Sequence, residues 1–88
     1  MSTSDAFVAA FDLLPEGAYG GTYQGKRYRI TKRLMATGRS QMLEAEELGG
    51  NDYISFNLYR LSGGQSLRKP CEMPEEKVVD FILNVVAD

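Results

Sequence analysis

Alternation of apolar and polar side chains dominates the middle of the chain. Across residues 27–36, Tyr28, Ile30 and Leu34 share one parity, while Arg27, Arg29, Thr31 and Arg33 share the other. That is the period of a strand with one apolar and one basic face. A tight two-residue loop at Gly38-Arg39, of type II′, sets Leu34 opposite Leu43, Arg33 opposite Glu44 and Met35 opposite Met42. A second, at Gly50-Asn51, sets Ala45 opposite Phe56, Leu43 opposite Leu58, Glu44 opposite Asn57 and Met42 opposite Tyr59. Both loops agree on which face is inside, since slipping either by one residue buries arginines and exposes Phe56.

A strand over residues 19–23 precedes this pair of hairpins, joined to it through Gln24, Gly25 and Lys26. After Ser62-Gly63-Gly64, residues 66–69 form a short edge strand, a place where Pro70 is tolerated. The period changes at both ends of the chain. Phe7, Ala10, Phe11 and Leu14 fall at helical spacing behind Ser2, Thr3, Ser4 and Asp5, and Pro15, Glu16 and Gly17 stop that helix. Pro74, Glu75 and Glu76 open a second helix, which carries Val78, Phe81, Ile82 and Val85 along one side.

These patterns predict an α+β fold: a four- to five-stranded antiparallel β-meander with N-terminal and C-terminal helices packed on one face. With 88 residues the chain supports one core, so residues 1–88 form a single domain.

Composition narrows the chemistry. The chain has no histidine and one cysteine, Cys71, which removes an internal disulfide framework, the commonest transition-metal ligand and the usual partner of a nucleophile. No cofactor or metal is expected, and the chain reads as non-catalytic. There is no leader-like segment or long apolar run, so no membrane association is expected and the chain reads as soluble and cytoplasmic.

Net charge is only −2, but residues 26–69 carry +5 and the flanks −7. The expected sheet is cationic and its surroundings anionic. With both helices on the face of Ile30, Leu43, Phe56 and Leu58, the other face meets water or a partner. Its expected rows are Arg29, Leu48 and Tyr53; Thr31, Glu46 and Ser55; Arg33, Glu44 and Asn57; and Met35, Met42, Tyr59 and Arg68. The last row is apolar and aromatic where a solvated sheet would be polar. Methionine adapts to irregular partners, and tyrosine and arginine concentrate in interface hot spots, so this row marks a protein-binding strip, for another protein or a second copy. The alternative for these residues is an ordinary scatter of surface side chains.

Arg27, Arg29 and Arg33, with Lys26, Lys32 and Arg39, also suit a phosphate backbone, and nucleic-acid or polyanion binding is the second expectation. Against it, Glu44 and Glu46 return to the same face and pair with Arg33 and Arg29. The order helix, meander, helix is similar to that of double-stranded RNA-binding domains, and a basic meander backed by a helix looks like plant AP2-type DNA-binding sheets. Glu75 and Glu76 stand where the first family carries lysines, and the tryptophans of the second are missing, so the likeness is one of element order and neither family is assigned.

Two polar features fall on the inward side. Lys32 and Glu47 are expected as diagonal neighbours near Tyr19, forming a rim ion pair or, less favoured, a small anion pocket beneath the first helix. Cys71 is expected to point inward beside Phe56 as packing; a thiol role would require a second thiol from elsewhere.

Overall fold

The structure, a computed structural model, describes residues 3–35, 39–61 and 66–88. The order is helix α1 (Thr3–Leu13), strands β1 (Gly17–Tyr23), β2 (Lys26–Met35), β3 (Ser40–Glu47), β4 (Tyr53–Arg60) and β5 (Ser66–Pro70), helix α2 (Glu75–Asn84) and strand β6 (Val86–Ala87). All six strands form one antiparallel sheet in the order β5-β4-β3-β2-β1-β6. The meander and both helices follow the expected pattern, with one more strand than the alternation predicted.

The hairpin between β1 and β2 is tighter than expected. Lys26 pairs with Tyr23, leaving Gln24 and Gly25 as the turn. Both have positive φ, 52° and 75°, the geometry of a type I′ turn whose twist matches the strands it joins. The next two hairpins keep the expected faces but move in register by two residues. Leu43 lies opposite Lys32 and Phe56, Ala45 opposite Ile30 and Ile54, and Met42 opposite Arg33 and Asn57. The proposed two-residue closures therefore give way to longer connections over residues 36–39 and 48–52. Positions 36–38, Gly38 among them, and the Ser62-Gly63-Gly64 stretch lie outside the described residues, as does Ser2.

A two-residue shift returns every side chain to its original face, which is why the core survives it. Ile30, Leu43, Ala45, Ile54, Phe56 and Leu58 are buried on one face, with Phe7 and Phe11 from α1 and Val78, Phe81 and Ile82 from α2. The Phe56 ring stands edge-on to both Phe7 and Phe11, at centroid distances of 5.6 and 5.7 Å. Phe81 packs against Tyr23 and Tyr28 at 4.9 and 5.4 Å. Each helix thus anchors on its own aromatic cluster, α1 over the middle of β4 and α2 over the hairpin of β1 and β2.

Leu34 was expected inside. It has inward parity but stays exposed, and its partner is Gln41 rather than Leu43.

Beyond α2, Val85 leaves the helix with extended backbone and the chain runs back along β1, pairing Thr22 with Val86 and Gly21 with Ala87. Gly21 makes that approach possible: a Cβ there would sit 2.7 Å from Ile30 Cδ1 and 3.2 Å from the Val86 carbonyl oxygen.

Candidate interaction surface

The face turned away from the helices is built by the outward residues of five strands. One row crosses it as Met35, Ser40, Tyr59 and Leu67, and the next as Arg33, Met42, Asn57 and Lys69. Met35 is 43% exposed, and Leu67 is exposed to the same extent; Met42 and Tyr59 are half-buried. Met42 belongs to the Arg33 row instead of the Met35 row, but it remains a diagonal neighbour of both Met35 and Tyr59, about 7 to 8 Å away. The four side chains therefore form a patch rather than a single row, with exposed Arg33 and Lys69 at its border.

Arg68 does not belong to this face. It lies opposite Leu58, so its side chain turns to the helix side, where the guanidinium sits 4.8 Å from the Phe7 ring centre and 3.3 Å from a Glu75 carboxylate oxygen. Its long aliphatic stem accepts a position that a shorter charged side chain would not. Leu67 takes the outward place that Arg68 was expected to fill.

Farther along the sheet, Glu46 stands between Arg29 and Tyr53 in the place expected of Leu48, which lies instead beside Arg27. Tyr53 is 44% exposed. Ala18, Gly20, Arg29 and exposed Leu48 border a shallow depression of about 340 Å³ where Gly20 supplies no side chain.

The basic row is divided by its surroundings. Arg27 is held by Asp88, Nη1 to Oδ1 at 2.8 Å and Nη2 to Oδ2 at 2.5 Å, and also donates to Thr22 Oγ1 at 2.9 Å. That fork holds the Asp88 carboxyl below its ordinary value. Glu44 faces Thr31 rather than Arg33, so the expected Arg33–Glu44 cross-strand pair does not form. Among the described residues, neither Arg29 nor Arg33 lies within ion-pair distance of a carboxylate.

The inward polar residues also depart from expectation. Lys32, only 4% exposed, donates to the carbonyl oxygens of Phe11 and Leu14 at 2.7 and 2.8 Å, where α1 ends. Its ammonium is committed to the helix terminus and offers nothing to an anion beneath α1. Glu47 lies beside Tyr28 and 3.9 Å from Lys26, away from Lys32. Cys71 is exposed rather than packed beside Phe56, whose cross-strand neighbour is Pro70; Cys71 follows the strand and donates its backbone N–H to the Ser55 carbonyl.

One polar network was not foreseen. Tyr28 Oη donates to Asp52 Oδ2 at 2.8 Å, Lys77 Nζ donates to Asp52 Oδ1 at 2.5 Å, and Tyr23 Oη donates to Asp80. It ties α2 to the strands at the end where Phe81 packs. A sequence signal existed: Tyr23 and Tyr28 have inward parity, and a buried phenol needs an acceptor. Burial, reinforced by Asp80, pushes the Tyr23 hydroxyl up to about 12, and burial with the Asp52 bond raises Tyr28 as well.

Hydrogen bonds from Lys77 and then Tyr28 outweigh burial and hold the Asp52 carboxyl below its ordinary 3.8. A depressed carboxylate contributes stability above its unfolded value, and that contribution is lost as pH falls through the folded value. Asp52→Asn is therefore expected to be less stable than the parent near neutral pH, with the gap closing as pH falls below 3.8 and through the depressed folded value. Urea midpoints measured across this range check it; a gap independent of pH would contradict the charge-based account. The tyrosines add the opposite limb, stability complete below pH 10 and declining as pH rises toward their folded values.

Comparison with protein families, curated proteins and solved structures returned no match. Among the described residues no group of His, Cys, Asp and Glu could hold a metal ion, and no helix is long and apolar enough to cross a membrane.

Proposed function

We propose that this chain is a non-catalytic interaction module that binds a protein partner through the sheet face left uncovered by its helices. The supporting observation is the patch of Met35, Met42, Tyr59 and Leu67 bordered by Arg33 and Lys69, on strands whose opposite face carries the core. An antiparallel sheet with one buried face has no structural need for apolar side chains on the other. Here they are adjacent, partly exposed and edged by Arg33 and Lys69, which among the described residues form no ion pair, the composition of an interface centre with a charged rim.

The test compares what the immobilised chain retains with what its variants retain. A specific protein held at moderate salt should be lost on Met42→Glu and kept on Leu13→Glu, which alters an exposed helical position on the other side. Equal retention by the parent and Met42→Glu would defeat the reading. Retention of nucleic acid that disappears with salt and with Arg29→Glu plus Arg33→Glu would instead favour the polyanion alternative.

A further inference from the structure

We propose that the protein partner is a second copy of this chain, bound head to tail: the sheet-face patch of one copy seats on the groove between α2 and β5 of the next. The inference rests on the proposed use of the uncovered face and adds its occupant.

The second surface lies on the helix side. Glu75, Val79 and Leu83 fall at i, i+4 and i+8 and form one ridge of α2, and Glu76 and Asp80 form the ridge beside it. Together with Arg68 they line a groove of about 380 Å³ with Val79 and Leu83 as its apolar part. Leu83 is 42% exposed. Glu75 is partly neutralised by Arg68, and Asp80 accepts from Tyr23 and Asn84. Among the described residues Glu76 has no ion pair.

The two surfaces complement one another. One has an apolar centre edged by Arg33 and Lys69, the other an apolar centre edged by Glu75, Glu76 and Asp80. The separation of +5 and −7 between middle and flanks is thereby resolved into two particular patches. A face-to-face dimer would gather the Arg33 and Lys69 side chains of both copies around one apolar centre, whereas head-to-tail contact gives them carboxylates.

Strand β5 places the surfaces back to back. Its alternation sends Arg68 toward the groove and Leu67 and Lys69 to the opposite face, so a copy stacked across the thickness of the sheet brings unlike patches together. Because the patches differ, the contact is heterologous. It leaves one patch of each kind free at the ends and adds copies beyond two unless the rotation closes a ring.

Sedimentation of the wild-type chain over a concentration series tests this directly. Mass should rise past that of a dimer at low salt and fall toward the monomer at high salt. Two variant chains supply the decisive arm. Arg33→Glu plus Lys69→Glu disables the sheet patch, and Leu83→Glu disables the groove by adding a carboxylate to its apolar centre, so the two altered patches repel each other; all three positions are exposed. Each variant alone should lose association by at least about tenfold. Mixed in equal amounts, they should form a heterodimer that grows no further, since one intact patch of each kind remains.

A wild-type chain monomeric at low salt overturns self-assembly without reference to any variant, and leaves the sheet-face reading to the Met42→Glu retention test. A groove variant that still dimerises overturns the head-to-tail geometry in favour of face-to-face pairing. A sheet variant that still assembles places the contact elsewhere and overturns both.

Discussion

Phe56→Ala is expected to cost about 3 to 5 kcal/mol, a large share of the total stability of a domain this small. Phe56 is fully buried at the middle of β4, between Leu43 and Pro70 on the neighbouring strands. Two rings of α1 stand edge-on to it, and those rings stack on each other at 6.2 Å. Truncation removes the ring's own burial and the shared contact of both neighbours, and the cavity cannot close without moving α1 across the sheet. Urea denaturation would measure the loss, with Phe56→Leu retaining much of it. A cost under about 1 kcal/mol would mean that α1 is not seated on this face.

The same residue explains why the fold was legible before the register was. Phe56, Leu58, Leu43 and Ile30 can all be buried under any register that differs by an even number of residues, because side-chain direction repeats every two positions. Hydrophobic pattern alone therefore selects a face without selecting a partner. The partner is set by the turn, and the sequence around Gly38 and Gly50 suits two-residue closure as well as the longer connections actually used. Met42 moved one row for this reason, yet stayed in the patch because its new position is diagonal to the old.

Arg68 illustrates the other kind of error, an odd slip. Its strand offers Leu67 as the only large aliphatic side chain, so parity had a single vote, and nothing in the local pattern announces that an arginine stem will cover Phe7 while the leucine turns outward. Strand β6 was illegible for a simpler reason: two paired residues behind a helix are shorter than any period. The Tyr28–Asp52–Lys77 network required knowing that the connection after β3 brings Asp52 back over Tyr28, a tertiary fact absent from spacing. What the sequence did carry through to the surface is charge. Part of the cationic middle lies on the uncovered face, as Arg29, Arg33 and Lys69, and part of the anionic flank lies on α2, as Glu75, Glu76 and Asp80, while Lys32, Arg60 and Arg68 on the helix side and Asp88 beside Arg27 cross that division.

Lys32→Met should destabilise the domain by about 1 to 3 kcal/mol and should loosen α1 before the sheet. A helix leaves its final carbonyls without intrahelical donors, and those of α1 fall where the chain turns into the buried side of the sheet. Lys32 supplies an ammonium to two of them, stands at the negative end of the helix dipole, and lies 4.2 Å from the Phe11 ring centre. Enclosure works against this: burial pushes the Lys32 pKa down, and Arg60 adds to that, while Asp12 and Glu16 partly offset it. The balance still favours the lysine, because methionine fills a similar volume but leaves the Leu14 carbonyl without this donor and the Phe11 carbonyl with the Leu14 N–H alone, and an unmet buried acceptor costs about 1 to 3 kcal/mol. Hydrogen exchange separates the local from the global effect. Amides of α1 should lose protection in Lys32→Met by more than those of β3 and β4, whereas uniform loss, or none, would mean that the ammonium does not hold the helix terminus.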